Sequence, residues 1–354
     1  MKGTRAKVAQ SAATAAVAVL VLLLVSSVSS AAPIASKNPA PVHPSNRWGP
    51  NMVYDAKDGY VLLFGGSTNQ NYTWKFSDGK WTDLNIAVAP PSRAHGGIAY
   101  DAADGYVVLF GGSSRNVYYN DTWEYSGGVW KNVTASAGRG PSPRVAPAMA
   151  YDAADGYIVL FGGMNAAHHT LNDTWEFAHG KWANVTGTTG ETPVSRFAEG
   201  LAYDAADGYL LMYGGWTATK GLKDKTLDDT WEFSGGAWKP LSPKENPGPR
   251  WFVGLTYDST DGYVLFFEGI NDSGVKSYWN TPPYTWTYRG GVWTNVTNSS
   301  NSPPHRFAEG LVDDPADHYV LMFGGLNSTA VVAHALSDTW TYAGGVWTNI
   351  TKTA

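Results

Sequence analysis

Six apolar runs of five residues punctuate the chain: YVLLF from Tyr60, YVVLF from Tyr106, YIVLF from Tyr157, YLLMY from Tyr209, YVLFF from Tyr263 and YVLMF from Tyr319. Runs this short, rich in β-branched and aromatic residues and cut off by glycine, predict buried strands and not helices. The polar and apolar positions around them keep one order. In the unit Pro91 to Thr134 the pattern predicts a small-residue strand from Arg93 to Tyr100, a turn over Asp101 to Gly105, and a second strand from Tyr106 to Phe110 ended by Gly111 and Gly112. A third strand follows over Thr122 to Tyr125, a glycine turn over Ser126 to Gly128, and a fourth strand over Val129 to Val133. Aspartate carboxylates cap nearby amides in the acidic turn, and Gly105 supplies a positive φ there. Each unit is a four-stranded antiparallel meander.

The leading tyrosines of the six runs lie 46, 51, 52, 54 and 56 residues apart, a period that marks a repeat architecture. Twelve of the 16 tryptophans keep the same time, in pairs seven residues apart: Trp74 and Trp81, Trp123 and Trp130, Trp175 and Trp182, Trp231 and Trp238, Trp286 and Trp293, Trp340 and Trp347. A lone meander leaves two apolar faces uncovered, so copies must pack face to face, and a radial array closes with only short edges exposed. The arginine, the apolar strand closed by Gly-Gly and the paired aromatics together resemble the kelch repeat. That resemblance spans the chain from about Arg47 to Ile350 and implies an all-β fold, a six-bladed β-propeller of four-stranded antiparallel kelch-type blades over residues 47–354. How the ring closes is left open by the pattern.

The residues ahead of the repeat are a separate object. Lys2, Arg5 and Lys7 precede an apolar run from Ala12 to Val25 and the small-residue stretch Ser26 to Ala32. This is the pattern of an export signal over residues 1–32, cleaved after Ala31 or Ala32 or else retained as an N-terminal membrane anchor. A Pro/Ser linker over 33–46 follows. The expected location is therefore secreted or cell-surface. With 43% apolar and 16% charged residues the remainder has enough surface to bury for a folded core. A net charge of -5 argues against general nucleic-acid binding. The absence of cysteine excludes disulfides and thiolate sites. Kelch-type propellers include galactose oxidase, whose copper cofactor needs a cysteine cross-linked to tyrosine, so that chemistry is closed here. No cofactor and no metal is assigned. The Asp-x-x-Asp-Gly pairs have too few oxygens for calcium and are turn formers, and the histidines show no metal-ligand spacing. Ten Asn-X-Ser/Thr sequons occur, six of them within the recurrent N-D-T, N-V-T and N-I-T pieces, where common descent of the repeats accounts for them.

Strand direction alternates in a meander, so the connections fall on two faces. One carries short, nearly uniform turns; the other carries loops that differ in every unit, and variable loops on a rigid frame are where such folds bind. Two residue sets map to the variable face. The first is an arginine at the start of each inner strand: Arg47, Arg93, Arg144, Arg196, Arg250 and Arg306. Kelch arginines at this position often contact acidic partners, and the resemblance extends that role here. The alternative is structural, each guanidinium pairing with the aspartate of the D-T-W element at Asp121, Asp173, Asp229 or Asp338, a partner that Tyr72 and Tyr284 replace in units one and five. The second set is Trp48, Trp216, Trp251 and Trp279, either exposed platforms for a sugar or a protein anchor, or packing under loops. Unit five departs furthest, with Glu268 in place of the first glycine. A single site would lie between units four, five and six, with Arg250, Glu268, Trp216, Trp251, Trp279 and Glu309.

These residues predict a non-catalytic extracellular binding module for a protein or glycan, with no catalytic residue assigned and no membrane contact except through the N-terminal segment. Two alternatives stand beside it. One is a glycoside hydrolase using Glu268 with Glu199 or Glu309; the other is a structural surface or adhesion protein.

Overall fold

The computed structural model describes residues 43–68, 70–218, 225–271, 283–298, 301–328 and 333–354. The export segment over 1–32, most of the linker over 33–46, and Trp279 lie outside the described residues. Six four-stranded antiparallel sheets are arranged as the blades of a β-propeller, and each is built from one contiguous stretch of chain. Blade two shows the pattern, with strands at Gly97–Asp101, Tyr106–Phe110, Thr122–Ser126 and Val129–Asn132. Its inner strand is shorter than the sequence predicts. Arg93 to Gly96 are not paired along the ladder; instead Ala94 bridges to Ser113 in the loop that leaves the second strand. Three small hairpins also stand in the variable loops, at Ser113–Ser114 with Val117–Tyr118, Trp216–Thr217 with Lys225–Thr226, and Leu326–Ser328 with Ala333–Ala335. Each is only two or three residues per strand, too short for a hydrophobic period to register.

The second strand of every blade is buried over its last four residues, because both faces of a blade are covered by neighbours. The paired tryptophans occupy the interfaces. The second indole of each pair donates Nε1–H to the hydroxyl of the D-T-W-type threonine one blade earlier: Trp130 to Thr73, Trp182 to Thr122, Trp238 to Thr174, Trp293 to Thr230 and Trp347 to Thr285, at 2.9–3.2 Å. Trp81 of blade one completes the circuit by donating to Thr339 of blade six at 3.0 Å. The second aspartate of the acidic turn adds a latch in the same direction, accepting from the glycine amide of the next blade's outer turn, as Asp58 does from Gly127 at 3.0 Å. The first aspartate caps its own turn, Asp101 Oδ1 accepting from the amides of Ala103 and Asp104.

Among the described residues the ring closes without exchange of strands between its ends. At the sixth interface the amide of Arg47 donates to Leu336 O at 2.8 Å and that of Gly325 to Arg47 O at 2.9 Å. Two residues after each arginine stands a residue with positive φ: Gly49, His95, Ala146, Ala198, Phe252 and Ala308. This twist aims each amide at the carbonyl of the preceding blade. The result is a cyclic chain of six backbone bonds around the axis, from Gly49 N to Ala308 O at 2.7 Å through to Ala308 N to Phe252 O at 3.4 Å.

Candidate functional site

The six strand-start arginines lie together at the variable-loop mouth of the central channel, and their side chains are buried. Four form the same lock. Arg144 donates Nη1 and Nη2 to the two oxygens of Asp173, both at 2.7 Å, while Nη1 also reaches Gly162 O at 2.8 Å and Nε reaches Ser142 O at 3.0 Å. Arg93 with Asp121, Arg196 with Asp229 and Arg306 with Asp338 repeat the bidentate fork at 2.6–2.8 Å. Such planar forks are the strongest ion-pair geometry a protein offers. Burial pushes each aspartate up, but the arginine bonds and charge, with the adjacent indole N–H, outweigh it and hold the carboxyl below its ordinary range. The first tryptophan of the pair is that indole, as in Trp175 Nε1 to Asp173 at 2.7 Å. In blades one and five, where tyrosine replaces the aspartate, Trp74 Nε1 and Trp286 Nε1 are buried without a partner.

Those two blades treat their arginine differently. Arg47 keeps the bonds its sisters make besides the aspartate, with Nε to Ser45 O at 2.9 Å, Nη2 to Ser45 Oγ at 3.2 Å and Nη1 to Gly65 O at 2.8 Å. Burial without a carboxylate lowers it to about 10, so it stays charged. Arg250 does not keep that set. Three substitutions surround it, and two of them take away a usual acceptor. Tyr284 stands where the aspartate would be, 5.2 Å beneath the guanidinium. Tyr213, which replaces a phenylalanine at the end of the second strand of blade four, donates its hydroxyl to Gly248 O at 2.7 Å, the carbonyl that the arginine Nε takes in other blades. Glu268 replaces the glycine at φ 46. Arg250 retains a bond from Nη1 to Pro249 O at 2.8 Å, and its Nε is buried without a partner. Glu268 itself is fully buried and bonded to His305 at 2.6 Å, with the Tyr284 amide donating to it at 3.3 Å.

Three of the extra tryptophans are not platforms. Trp48, Trp216 and Trp251 are buried in one cluster with Phe197, Phe252 and Phe307 that fills the channel mouth. The decisive contact is between His95 of blade two and Phe252 of blade five, 4.7 Å between ring centroids. These blades are diametrically opposed in a ring of six, so the two rings meet across the axis and plug it. Trp48 packs on the other side of His95 at 5.1 Å, and a Cβ on Gly49 would lie 2.7 Å from the imidazole. Burial lowers His95 to about 3, so it is a neutral member of an aromatic core. Nothing in the hydrophobic period marked His95, Phe252 or Tyr213. The one usable signal was that each sits at a register position where its sister blades carry Gly, Ala or Phe. The hydrolase reading needs Glu268 open beside a second glutamate, whereas Glu268 is committed to His305 and Glu199 and Glu309 lie below the plug in the channel. Among the described residues no group of three or more His, Cys, Asp or Glu side chains is placed to hold a metal ion.

The repeat has a counterpart among known families. The model of the KLHDC2/KLHL20/DRC7 Kelch-repeats domain matches residues 20–187, and the six blades carry the same repeat to the end of the chain. The chain belongs to the kelch-repeat family. Kelch propellers are in general protein-binding scaffolds. An F-box/kelch-repeat protein of Arabidopsis thaliana is 33% identical over 123 residues, covering 31% of this kelch chain and 25% of that protein. Multiple epidermal growth factor-like domains protein 8 of Rattus norvegicus is 27% identical over 216 residues, covering 57% of the chain and 7% of that protein. The kelch chain thus spans a quarter or less of either relative.

Proposed function

We propose that this kelch propeller is an exported, non-catalytic binding module that docks a protein on its variable-loop face, where Arg250 receives a carboxylate from the partner. The observation that carries this reading is the missing carboxylate in blade five, where Tyr284 replaces the aspartate. Four blades place an aspartate on their arginine, and those aspartate side chains are 20–36% exposed, so the carboxylate position opens to solvent even though the arginine does not. Blade five keeps the arginine and has no aspartate to fill that position. A protein side chain fits this geometry better than a sugar, because Trp48, Trp216 and Trp251, the described tryptophans outside the repeat, are buried and offer no stacking face. Export rests on the basic, apolar and small-residue succession over residues 1–32.

The test uses a displayed library of random peptides selected against the mature propeller. Selected peptides are expected to carry an Asp or Glu at a fixed position and to lose binding at least tenfold on Arg250→Ala. Tyr284→Asp is expected to do the same while leaving the fold intact, since it supplies the missing carboxylate from within the chain. Peptides without an acidic position, or undiminished binding to Tyr284→Asp, would sink the assignment. Fusion of residues 1–40 to a reporter tests export separately, with an internal reporter as the refuting outcome.

A further inference from the structure

The fourth strand of each blade is an outer edge of its sheet, and in four blades it ends in the same way. Asn132, Asn184, Asn295 and Asn349 are its last residues in blades two, three, five and six, and all four are exposed. Each heads an Asn-X-Thr sequence folded into one repeated turn. The asparagine Oδ1 accepts from the amide of the threonine two residues on, at 2.9–3.1 Å. That threonine's hydroxyl reaches back to the carbonyl of the third-strand threonine at 3.3–3.4 Å. Among the described residues none of the four carboxamide nitrogens donates a hydrogen bond. The turn uses the oxygen and leaves the nitrogen to solvent.

Blade one shows that the fold does not need that nitrogen. Asp83 stands at the same position and makes the same turn, its Oδ1 accepting from the Asn85 amide at 2.8 Å. Blade four has Pro240 there. Common descent explains why the piece recurs, yet the fold takes Asn, Asp or Pro, and only Asn presents a carboxamide nitrogen. The sequons at Asn120 and Asn172 are built differently. The amides of their threonines, Thr122 and Thr174, donate to Oγ1 of Thr134 and Thr186 at 3.0 Å and so are not available to the asparagine. Their middle residues are Asp121 and Asp173, already held by Arg93 and Arg144.

The strands that carry the four asparagines are open edges. Proteins blunt such edges with charge or proline, because unpaired backbone groups invite another chain. Blade one has Lys80 and Asp83 in its outer strand, blade four has Lys239 and Pro240, and blades two and three have one lysine each, Lys131 and Lys181. The VWTN strands of blades five and six have neither charge nor proline, and their Val292 and Val346 are 60% and 46% exposed. We infer that Asn132, Asn184, Asn295 and Asn349 are acceptor sites for N-linked glycans, which cover these outer edges. The inference rests on the export reading, because sequons of this type are modified in exported chains. The co-reactant is an oligosaccharide carried on a lipid phosphate. Nδ2 forms a bond to its anomeric carbon, the bond from that carbon to the phosphate oxygen breaks, the lipid phosphate leaves with the electron pair, and one Nδ2 proton passes to a base of the transferase. The product keeps Oδ1 for the turn and loses only a hydrogen that the fold leaves unused.

The experiment recovers the full chain from its own cells, from the surface or medium and from the interior separately, and reads the occupancy of each sequon by mass spectrometry of its peptides. Sugar adducts are expected on Asn132, Asn184, Asn295 and Asn349 of the exported chain and not on Asn120 or Asn172. The Asn295→Asp, Asn349→Asp double variant keeps the turn as Asp83 does; it should lose those two adducts and self-associate more than the parent in light scattering. An exported chain with the four asparagines unmodified overturns this inference alone. A chain found only in the interior with residues 1–32 intact overturns the export reading and this one with it. Equal occupancy at Asn120 and Asn172 overturns the argument from the turn, and a double variant no more associated than the parent overturns the covering role.

Discussion

Asp173→Ala would open the blade-three lock from its solvent side. Arg144 would remain fully buried and lose both arms of its fork, keeping only Gly162 O and the two Ser142 contacts, while the Trp175 indole would lose its 2.7 Å acceptor. Removing one partner of a buried ion pair costs about 3–5 kcal/mol because the other charge is stranded. Asp173 is 25% exposed, so water can reach the gap, and the lower end, about 3 kcal/mol, applies. The indole adds little, since blades one and five already tolerate an unpartnered Trp74 and Trp286. Urea unfolding followed by tryptophan fluorescence measures the loss, and the cycle with Arg144→Met isolates the pair, with an expected coupling of about 2 kcal/mol. The pH dependence supplies an independent sign. The folded carboxyl lies below its unfolded value, so its contribution is present above about pH 4 and lost as the pH falls through the folded value. The gap between variant and parent should therefore narrow below pH 4. A cost under about 1 kcal/mol, or additive effects in the cycle, would refute the view that these locks hold the blades.

Trp182→Phe should cost about 1–2 kcal/mol: it deletes the Nε1 bond to Thr122 while keeping the aromatic contacts with Phe110 and Phe177, and Thr122→Val should give a similar loss that does not add to it. Equal, fully additive losses in thermal melts would mean the indole acts by bulk alone. Glu199 and Glu309 work against the aspartates: burial raises their folded values to about 8, above the unfolded ones, so the folded chain binds more protons and stability falls as pH rises from about 4.5 to 8. The Glu199→Gln, Glu309→Gln double variant should match the parent near pH 5 and melt higher at pH 8.5; parallel curves would show that the carboxyls are already satisfied.

The blade count and strand phase were legible because they rest on local signals: a run of five apolar residues, a glycine pair, indoles seven apart. The partner of each indole was not, because the threonine that receives Trp182 lies 60 residues earlier, in another blade. The arginine ring could be placed, and its aspartates named as one set of partners, but sequence position alone did not decide between that lock and a ligand. The same limit applies to Trp48, Trp216 and Trp251. Their register put them at the channel mouth, yet whether they faced outward depended on rings from neighbouring blades, such as His95 against Trp48 and Phe197 against Trp251, which no local signal marks. Where the repeat broke its own rule the sequence was most informative. Glu268 and Tyr284 marked blade five as different, and the structure adds Tyr213 as the third change that strips Arg250 of its acceptors. Glu199 and Glu309 broke the rule as well, at a register where the other blades carry no charge. Two departures of one kind, at equivalent positions in two blade interfaces, are harder to attribute to drift than one, because each buries a carboxyl that the other four blades close without.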